Sequence, residues 1–181
     1  MERFWNYIHV SVFKFAISFF NLFSKIDPIN LILRIPFIVR AYEKRGIKNP
    51  SKQIDNIIFR DKEVGWIVTW ASIQMGGLLV LIEYSLFNFL QAILGRMLIQ
   101  YIWENVVYKL LFVFGSLVIP GIINYYSLWK NDKYLDYFKK FEKESKSTRI
   151  KWSLISIVVI IGILLLLIFS FWLLSVVVYQ S

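Results

Sequence analysis

Three stretches of the chain are apolar over the length that a helix needs to cross a membrane. They cover residues 64–82, 110–129 and 152–179, and the last of them contains no charged residue. Crossing a hydrocarbon core of about 30 Å takes roughly 20 apolar residues in a helix, whose backbone groups are satisfied within the helix itself. The pattern therefore predicts an all-α integral membrane protein, a bundle of three to four transmembrane helices with amphipathic interfacial helices.

Residues 4–23 are the reason that three spans and four both remain open. This stretch is long enough to cross, but Asn6, His9 and Lys14 fall on one side of a helical wheel, with aromatic residues opposite. Such a division is typical of a helix that lies in the membrane interface. The alternative is a fourth span with its polar side toward the bundle, although Lys14 near mid-membrane would cost about 3 kcal/mol.

The stretch 84–103 is also apolar, but polar residues interrupt it every three to five positions. We expect an external interfacial or re-entrant helix here, or a long extension of the neighbouring helices. The chain then divides into four segments: residues 1–63, an N-terminal amphipathic or transmembrane helix plus a basic segment; 64–129, a two-span helical hairpin with an external connection; 130–151, a basic loop helix; and 152–181, a C-terminal transmembrane helix.

The positive charge is concentrated in two connections. The net charge of the chain is +9, and of its 21 Lys and Arg residues nine lie in 25–63 and eight in 130–151. Short connections rich in Lys and Arg stay in the cytoplasm. We therefore expect a multi-pass protein of the inner (plasma) membrane, with both basic loops cytoplasmic and the C-terminus external. The two spans between the basic loops return the chain to the same side, as this topology requires.

A few polar or helix-bending residues near the spans are candidates for a conduction path. Carboxylates and amides beside a span can line a wet cavity or the mouth of an oligomeric pore, although charges more often mark span ends. A proline removes a backbone donor and can kink a helix at a gate. The candidate pore or cavity residues are Glu83, Glu104 and Asn124. The candidate gate or kink residues are Gly115, Pro120 and Gly121.

Two further groups are candidate contact surfaces. Ser72 and Gly76, with Gly77 adjacent, form a pair of small residues that allows close helix packing, within one bundle or between copies. The loop helix carries an aromatic stripe and exposed lysines that would hold it on anionic lipid or dock a cytoplasmic partner. This candidate surface comprises Tyr134, Tyr137, Phe138, Phe141, Lys139 and Lys140.

The residue types exclude several chemistries. The chain has no Cys and one His, so a thiol nucleophile, a disulfide and a histidine metal cluster are not available. It has no Gly-rich phosphate loop and no Gly-x-Ser-x-Gly or His-Glu-x-x-His motif. We therefore expect a protein that is not an enzyme and that has neither a cofactor nor a metal.

These exclusions leave two kinds of function. The first is a small bacterial inner-membrane protein that acts by self-assembly, as an oligomeric pore, channel or membrane-perturbing effector, or as the accessory regulator of one. The second is a membrane-anchored scaffold or immunity-type protein that binds a cytoplasmic partner through its basic loops. The expected partners are membrane lipids, anionic on the cytoplasmic side, and either a second copy or another protein. Nucleic acid is not expected, because acidic residues are interleaved with the basic ones. The bias toward Lys, Ile, Phe and Asn suggests a bacterial gene of low GC content.

Overall fold

The computed structural model describes residues 2–23, 35–44, 46 and 55–179, and these residues form helices and short connections without a strand. Much of the predicted basic segment 25–63, namely residues 25–34, 45 and 47–54, lies outside the described residues. The helices are α1 (Glu2–Phe23), α2 (Pro36–Glu43), α3 (Trp66–Leu94), α4 (Leu98–Glu104), α5 (Val106–Asn124), α6 (Lys133–Lys143) and α7 (Lys146–Tyr179). Single π-helical turns occupy Asp55–Phe59 and Tyr125–Trp129, and a 3-10 turn occupies Lys130–Asp132.

Three helical runs in the described part are long and apolar enough to cross a membrane. They are α3, the run Val106–Lys143 that begins with α5, and α7 as far as Val178. This confirms the prediction of an all-helical chain with at least three candidate spans. At 34 residues, α7 is about 51 Å long, which exceeds the thickness of the hydrocarbon core of a bilayer, and its first turns are basic.

The three candidate spans form a layer with α3 in the middle. α7 runs parallel to α3, so that Tyr84 packs on Phe171 and Asn88 lies beside Ser170. α5 runs antiparallel on α3 and brings Phe112 to Phe87, with ring centroids 5.0 Å apart. The packing of α5 and of α7 is chiefly with α3 rather than with each other. The N-termini of α3 and α7 and the C-terminus of α5 thus lie at one end of the layer, called the basic end below.

α1 lies across the basic end. Its first residue Glu2 accepts a hydrogen bond from Lys133 at 2.8 Å, and near its other end Asn21 accepts one from Arg60 at 2.6 Å. Both partners lie in the basic connections, whereas a helix that crossed the layer would have its two ends at opposite sides. α1 therefore does not run alongside the three candidate spans, and its location in a membrane interface stays a prediction.

The polar side of α1 points the opposite way from the prediction. All residues of the run 6–13 are buried, including Asn6 and His9 at 0% exposure. The exposed side chains of α1 include Phe15 at 66% and Phe19 at 52%. The interfacial prediction, with the apolar face in the membrane and the polar face toward water, is therefore wrong for this run. The polar side faces the bundle, as the alternative of a fourth span had it. Its polar groups face the protein interior, where other side chains satisfy them.

α6 covers α1 on the side away from the spans. Its residues Tyr134, Phe138 and Phe141 are 3%, 1% and 1% exposed and pack on α1. The Phe138 ring lies edge-on to Phe13, at 4.7 Å between centroids. These three residues are thus part of the chain's own core, and the prediction that they form a lipid or partner surface is corrected. A helical stripe of aromatic residues indicates that a face is buried, but it does not indicate what covers that face.

α3 extends well beyond its predicted end at residue 82. It continues to Leu94 and stops at Gly95, which adopts a left-handed conformation with φ of 61°. Inside this extension Asn88 donates to Ser170 at 3.2 Å, and Gln91 accepts from the backbone N–H of Ile99 at 3.0 Å. The alternative of a long extension holds as far as Leu94, because polar residues of this stretch pair with α7 and with the first turn of α4.

Candidate functional site

A buried polar network joins α1, α3 and α5 at the basic end. His9 lies 3.0 Å from the Ser72 hydroxyl, Nε2 to Oγ. Asn124 donates to the Ser72 carbonyl at 3.0 Å and accepts from the Trp5 indole at 3.4 Å. Asn6 donates to the Ser127 carbonyl at 2.8 Å. The network therefore connects the central helix α3 to both α1 and α5.

The hydrogen bonds fix the tautomer of His9. Ser72 Oγ donates its one proton to the Val68 carbonyl at 2.9 Å. With that proton used, His9 Nε2 is the donor to Ser72, so Nε2 carries a proton. Its Nδ1 is buried without a hydrogen-bond partner among the described residues. Burial lowers the pKa of His9 to about 4, against a weaker opposite effect of the hydrogen bond with the Val68 backbone.

We expect acidification from pH 7 to pH 5 to destabilise the protein through His9. In the unfolded chain His9 takes up a proton near pH 6.5, whereas in the folded chain it does so only near pH 4. Stability is thus fully present above pH 6.5 and is lost as the pH falls toward 4, by about 2 kcal/mol between pH 6.5 and 5. The Tm in detergent at the two pH values measures this loss.

The variant His9→Gln is the matched control, because the chain contains one His. Its absolute Tm is expected to be lower, but its Tm should change little between pH 7 and pH 5. A wild-type Tm that is equal at both pH values would contradict the assignment of His9 as a buried neutral ring.

The predicted pore residues do not come together in one chain. Asn124 is 9% exposed and is held in the network, so the prediction that it lines an open path is corrected. Glu104 is exposed at the end of α4. Glu83 lies within α3 and is half-buried, and its Oε2 has no hydrogen-bond partner in the described part of the chain. Of the three residues, Glu83 is the one that is partly buried and has a carboxylate oxygen without a hydrogen-bond partner among the described residues.

The predicted kink region remains helical. α5 continues through Pro120 to Asn124, and the departure from α geometry comes afterwards, in the π-helical turn Tyr125–Trp129. A methyl group added at Gly115 or Gly121 would meet nothing within 4 Å, so neither glycine marks a close helix contact within the chain. The irregular turn places the Ser127 carbonyl against α1, and its structural effect is to attach α1 to the end of α5.

The small residues predicted to pack helices have separate roles. Ser72 is buried in the polar network. An added methyl group at Gly76 or Gly77 would meet nothing within 4 Å, and Gly77 is exposed. The pair therefore does not form a close contact inside the chain, and a contact between copies stays a prediction.

On α6, the charged side chains remain accessible after the aromatic stripe is buried. Lys139 and Lys140 are exposed, and the ammonium of Lys140 lies 4.8 Å from the centroid of the half-buried Tyr137 ring. These three residues are the part of the predicted lipid or partner surface that stays available. As for metals, no group of three or more His, Cys, Asp or Glu side chains suited to an ion is present within the described ranges.

Sequence reasoning did not find the network, because its members are far apart along the chain. His9 and Ser72 are separated by 63 positions, and Trp5 and Asn124 by 119. The polar side of α1 is the one feature of the sequence that pointed to it, because polar residues on one side of an apolar helix need hydrogen-bond partners. Comparison of the chain with protein-family models, curated proteins and solved structures gives no match.

Proposed function

We propose that this chain is a small, non-enzymatic protein of the bacterial inner membrane that acts by self-assembly, with its basic end in the cytoplasm. The observation that carries the proposal is the incomplete cover of α5. In the most apolar 18 residues of the run that begins with α5, only 6% is buried, against 28% in the most apolar 18 residues of α3. The single chain is thus a layer with one nearly bare edge helix, and a second copy packed along α5 would complete a bundle.

The exposed face of α5 is continuous and apolar. Leu111, Phe114 and Leu117 follow one another at helical spacing and are 65%, 64% and 62% exposed. Association of helices inside a membrane relies on side-chain packing rather than on the hydrophobic effect, so a regular face of this kind is a suitable interface. If the assembly forms a pore or channel, or regulates one, it would give Glu83 a wet or hydrogen-bonded environment, since Glu83 Oε2 has no partner among the described residues.

Crosslinking along α5 tests the proposal, because the chain contains no Cys and each introduced thiol is unique. We expect Leu117→Cys to give a covalent dimer with a bifunctional maleimide in lipid nanodiscs. The matched control is Leu165→Cys on α7, where the exposure is 59% against 62% for Leu117. The control is expected to remain largely monomeric.

The particle mass in nanodiscs is measured in parallel. A monomeric mass together with equal crosslinking at both positions would overturn self-assembly. An oligomer that leaves salt-loaded vesicles tight would keep self-assembly and exclude a conduit.

A second candidate function is favoured by the accessible charges of α6. The helix is fixed on α1 by its buried aromatic side, so Lys139 and Lys140 are presented outward on a rigid support. This arrangement suits a membrane-anchored scaffold or immunity-type protein that binds an acidic surface of a cytoplasmic partner. A strictly monomeric particle in the experiment above would make this the preferred function.

A further inference from the structure

A pocket at the basic end carries three positive charges. It has a volume of about 420 Å³ and is lined by Lys14 of α1, by Phe141 of α6 and by Lys146, Arg149 and Ser153 of α7. The ammonium of Lys14 lies 4.3 Å from the centroid of the Phe141 ring. Two helices, α1 and α7, thus place three cations and one hydroxyl around a single space, and α6 adds an aromatic ring.

The chain does not neutralise these charges with its own described carboxylates. Glu142 is paired with Lys62 at 2.6 Å, and Glu144 accepts a hydrogen bond from Tyr7 at 3.0 Å. None of the three pocket cations forms an ion pair with a carboxylate in the described ranges. Arg149 Nε is buried and has no hydrogen-bond partner there. A buried donor without an acceptor is unfavourable, so an anion that binds the Arg149 guanidinium would stabilise the pocket.

The state of Lys14 agrees with a missing anion. Its pKa is lowered first by burial and then by the positive charge of Arg149, while Glu142 acts in the opposite direction and Lys62 adds to the repulsion. A negative group in the pocket would relieve this repulsion.

An apolar groove continues from the charged pocket. It has a volume of about 640 Å³, lies between α1, α3 and α7, and shares Lys14 and Ser153 with the pocket. From Ser153 to the end of the groove at Ile161, α7 rises about 12 Å toward the middle of the layer. Most of the exposed surface of the groove is apolar, and its apolar side chains are Val12, Phe15, Trp70, Leu78, Ile157, Ile160 and Ile161, with Ser11, Ser18, Gln74 and Ser156 between them.

We propose that the pocket and groove bind one anionic phospholipid, with its phosphate among Lys14, Lys146 and Arg149 and one acyl chain along the groove. A phosphate matches the guanidinium and ammonium donors, and an acyl chain matches the apolar lining. The bound lipid would join α1 to α7 where the chain provides no ion pair between them in its described part. This inference rests on the proposed membrane location with the basic end at an anionic leaflet, and it does not depend on self-assembly.

Native mass spectrometry of the full chain tests the site after incubation with equal amounts of dioleoyl phosphatidylglycerol and dioleoyl phosphatidylcholine in detergent. The wild type is expected to retain one phosphatidylglycerol at least tenfold more than phosphatidylcholine. Arg149→Gln and Lys14→Gln should each lower that retention about tenfold, since each removes a charge-assisted contact. Ile157→Trp, which fills the groove without changing charge, should lower it to a similar extent.

Two control variants, Lys130→Gln and Lys143→Gln, each remove one exposed positive charge outside the pocket and should keep the wild-type retention. If they lose lipid as strongly as Arg149→Gln, the attraction is diffuse and the site is refuted. If millimolar sn-glycerol 1-phosphate displaces the lipid and Ile157→Trp has no effect, the pocket binds a free anion and the lipid proposal is overturned. Carbonate extraction of cell membranes separates the failures: a wild type that is extracted refutes the membrane location as well, whereas one that stays in the membrane but shows no lipid preference refutes only this site.

Discussion

Replacing Phe138 with alanine is expected to lower the free energy of unfolding by about 3–5 kcal/mol, because the ring is 1% exposed and fills the space between α6 and α1. It lies 4.7 Å from the Phe13 ring and 5.8 Å from the His9 ring, between centroids. Its removal leaves a cavity above the most buried part of α1. We expect a lower Tm in detergent and faster backbone hydrogen exchange in residues 6–13, measured by mass spectrometry.

Phe37→Ala is the control for this substitution, since the Phe37 side chain on α2 is 81% exposed. It should leave both the Tm and the exchange of α1 unchanged within error. If Phe138→Ala behaved like Phe37→Ala, α6 would not be docked on α1, and the aromatic stripe would again be available for a partner or for lipid.

Gly65→Ala is expected to destabilise the chain by about 3 kcal/mol, because backbone atoms occupy the space that a methyl group needs. The added carbon would overlap the Asp61 carbonyl oxygen and lie 2.9 Å from the Phe59 carbonyl oxygen. These atoms belong to the turn that leads into α3, where the Asp61 carboxylate accepts the backbone N–H groups of Glu63 and Val64. Those two hydrogen bonds, that of Val64 first, lower the pKa of Asp61. Thermal unfolding in nanodiscs measures the loss.

The same substitution farther along α3 should have the opposite sign. At Gly77 a methyl group would meet nothing within 4 Å, and alanine in a helix interior is more stable than glycine by about 0.5–1 kcal/mol. Equal effects of Gly65→Ala and Gly77→Ala on Tm would show that the turn before α3 is not built as described. If Gly77→Ala instead shifts an oligomer toward monomer, Gly77 lies against a second copy.

The spans could be predicted from the sequence because their signal is local. The charge-free stretch that begins at Trp152 has few alternatives to a long helix, and α7 contains all of it to Tyr179. The end of α3 was harder to predict. Asn88 and Gln91 suggest that this stretch is in contact with water until their hydrogen-bond partners, Ser170 and Ile99, are known. A polar residue in an apolar stretch shows that a partner is needed but gives no information about which one.

The arrangement at the basic end depends on long-range contacts that no local pattern encodes. The stripe on α6 was assigned to lipid or a cytoplasmic partner, and the polar side of α1 was assigned to water or the bundle. Neither was assigned to the other. The contact between them is made by aromatic rings on α6 and by His9 and Phe13 on α1. A helix at a membrane interface carries the same mixture of aromatic and polar residues, so the sequence does not distinguish the two. The candidate phospholipid site was missed for the same reason, because Lys14 and Arg149 meet only after α1 has been placed across α7.

The position of α1 also sets an order of events during synthesis. Tyr7 is bonded to Glu144, which is made 137 residues later, so roughly 7 to 27 s of translation separate the two at about 5–20 residues per second. During that interval α6 and α7 do not yet exist, and Asn6 and His9 have to be solvated by water or lipid headgroups. The polar side of α1 can thus be covered completely only after α6, in the last third of the chain, has been synthesised.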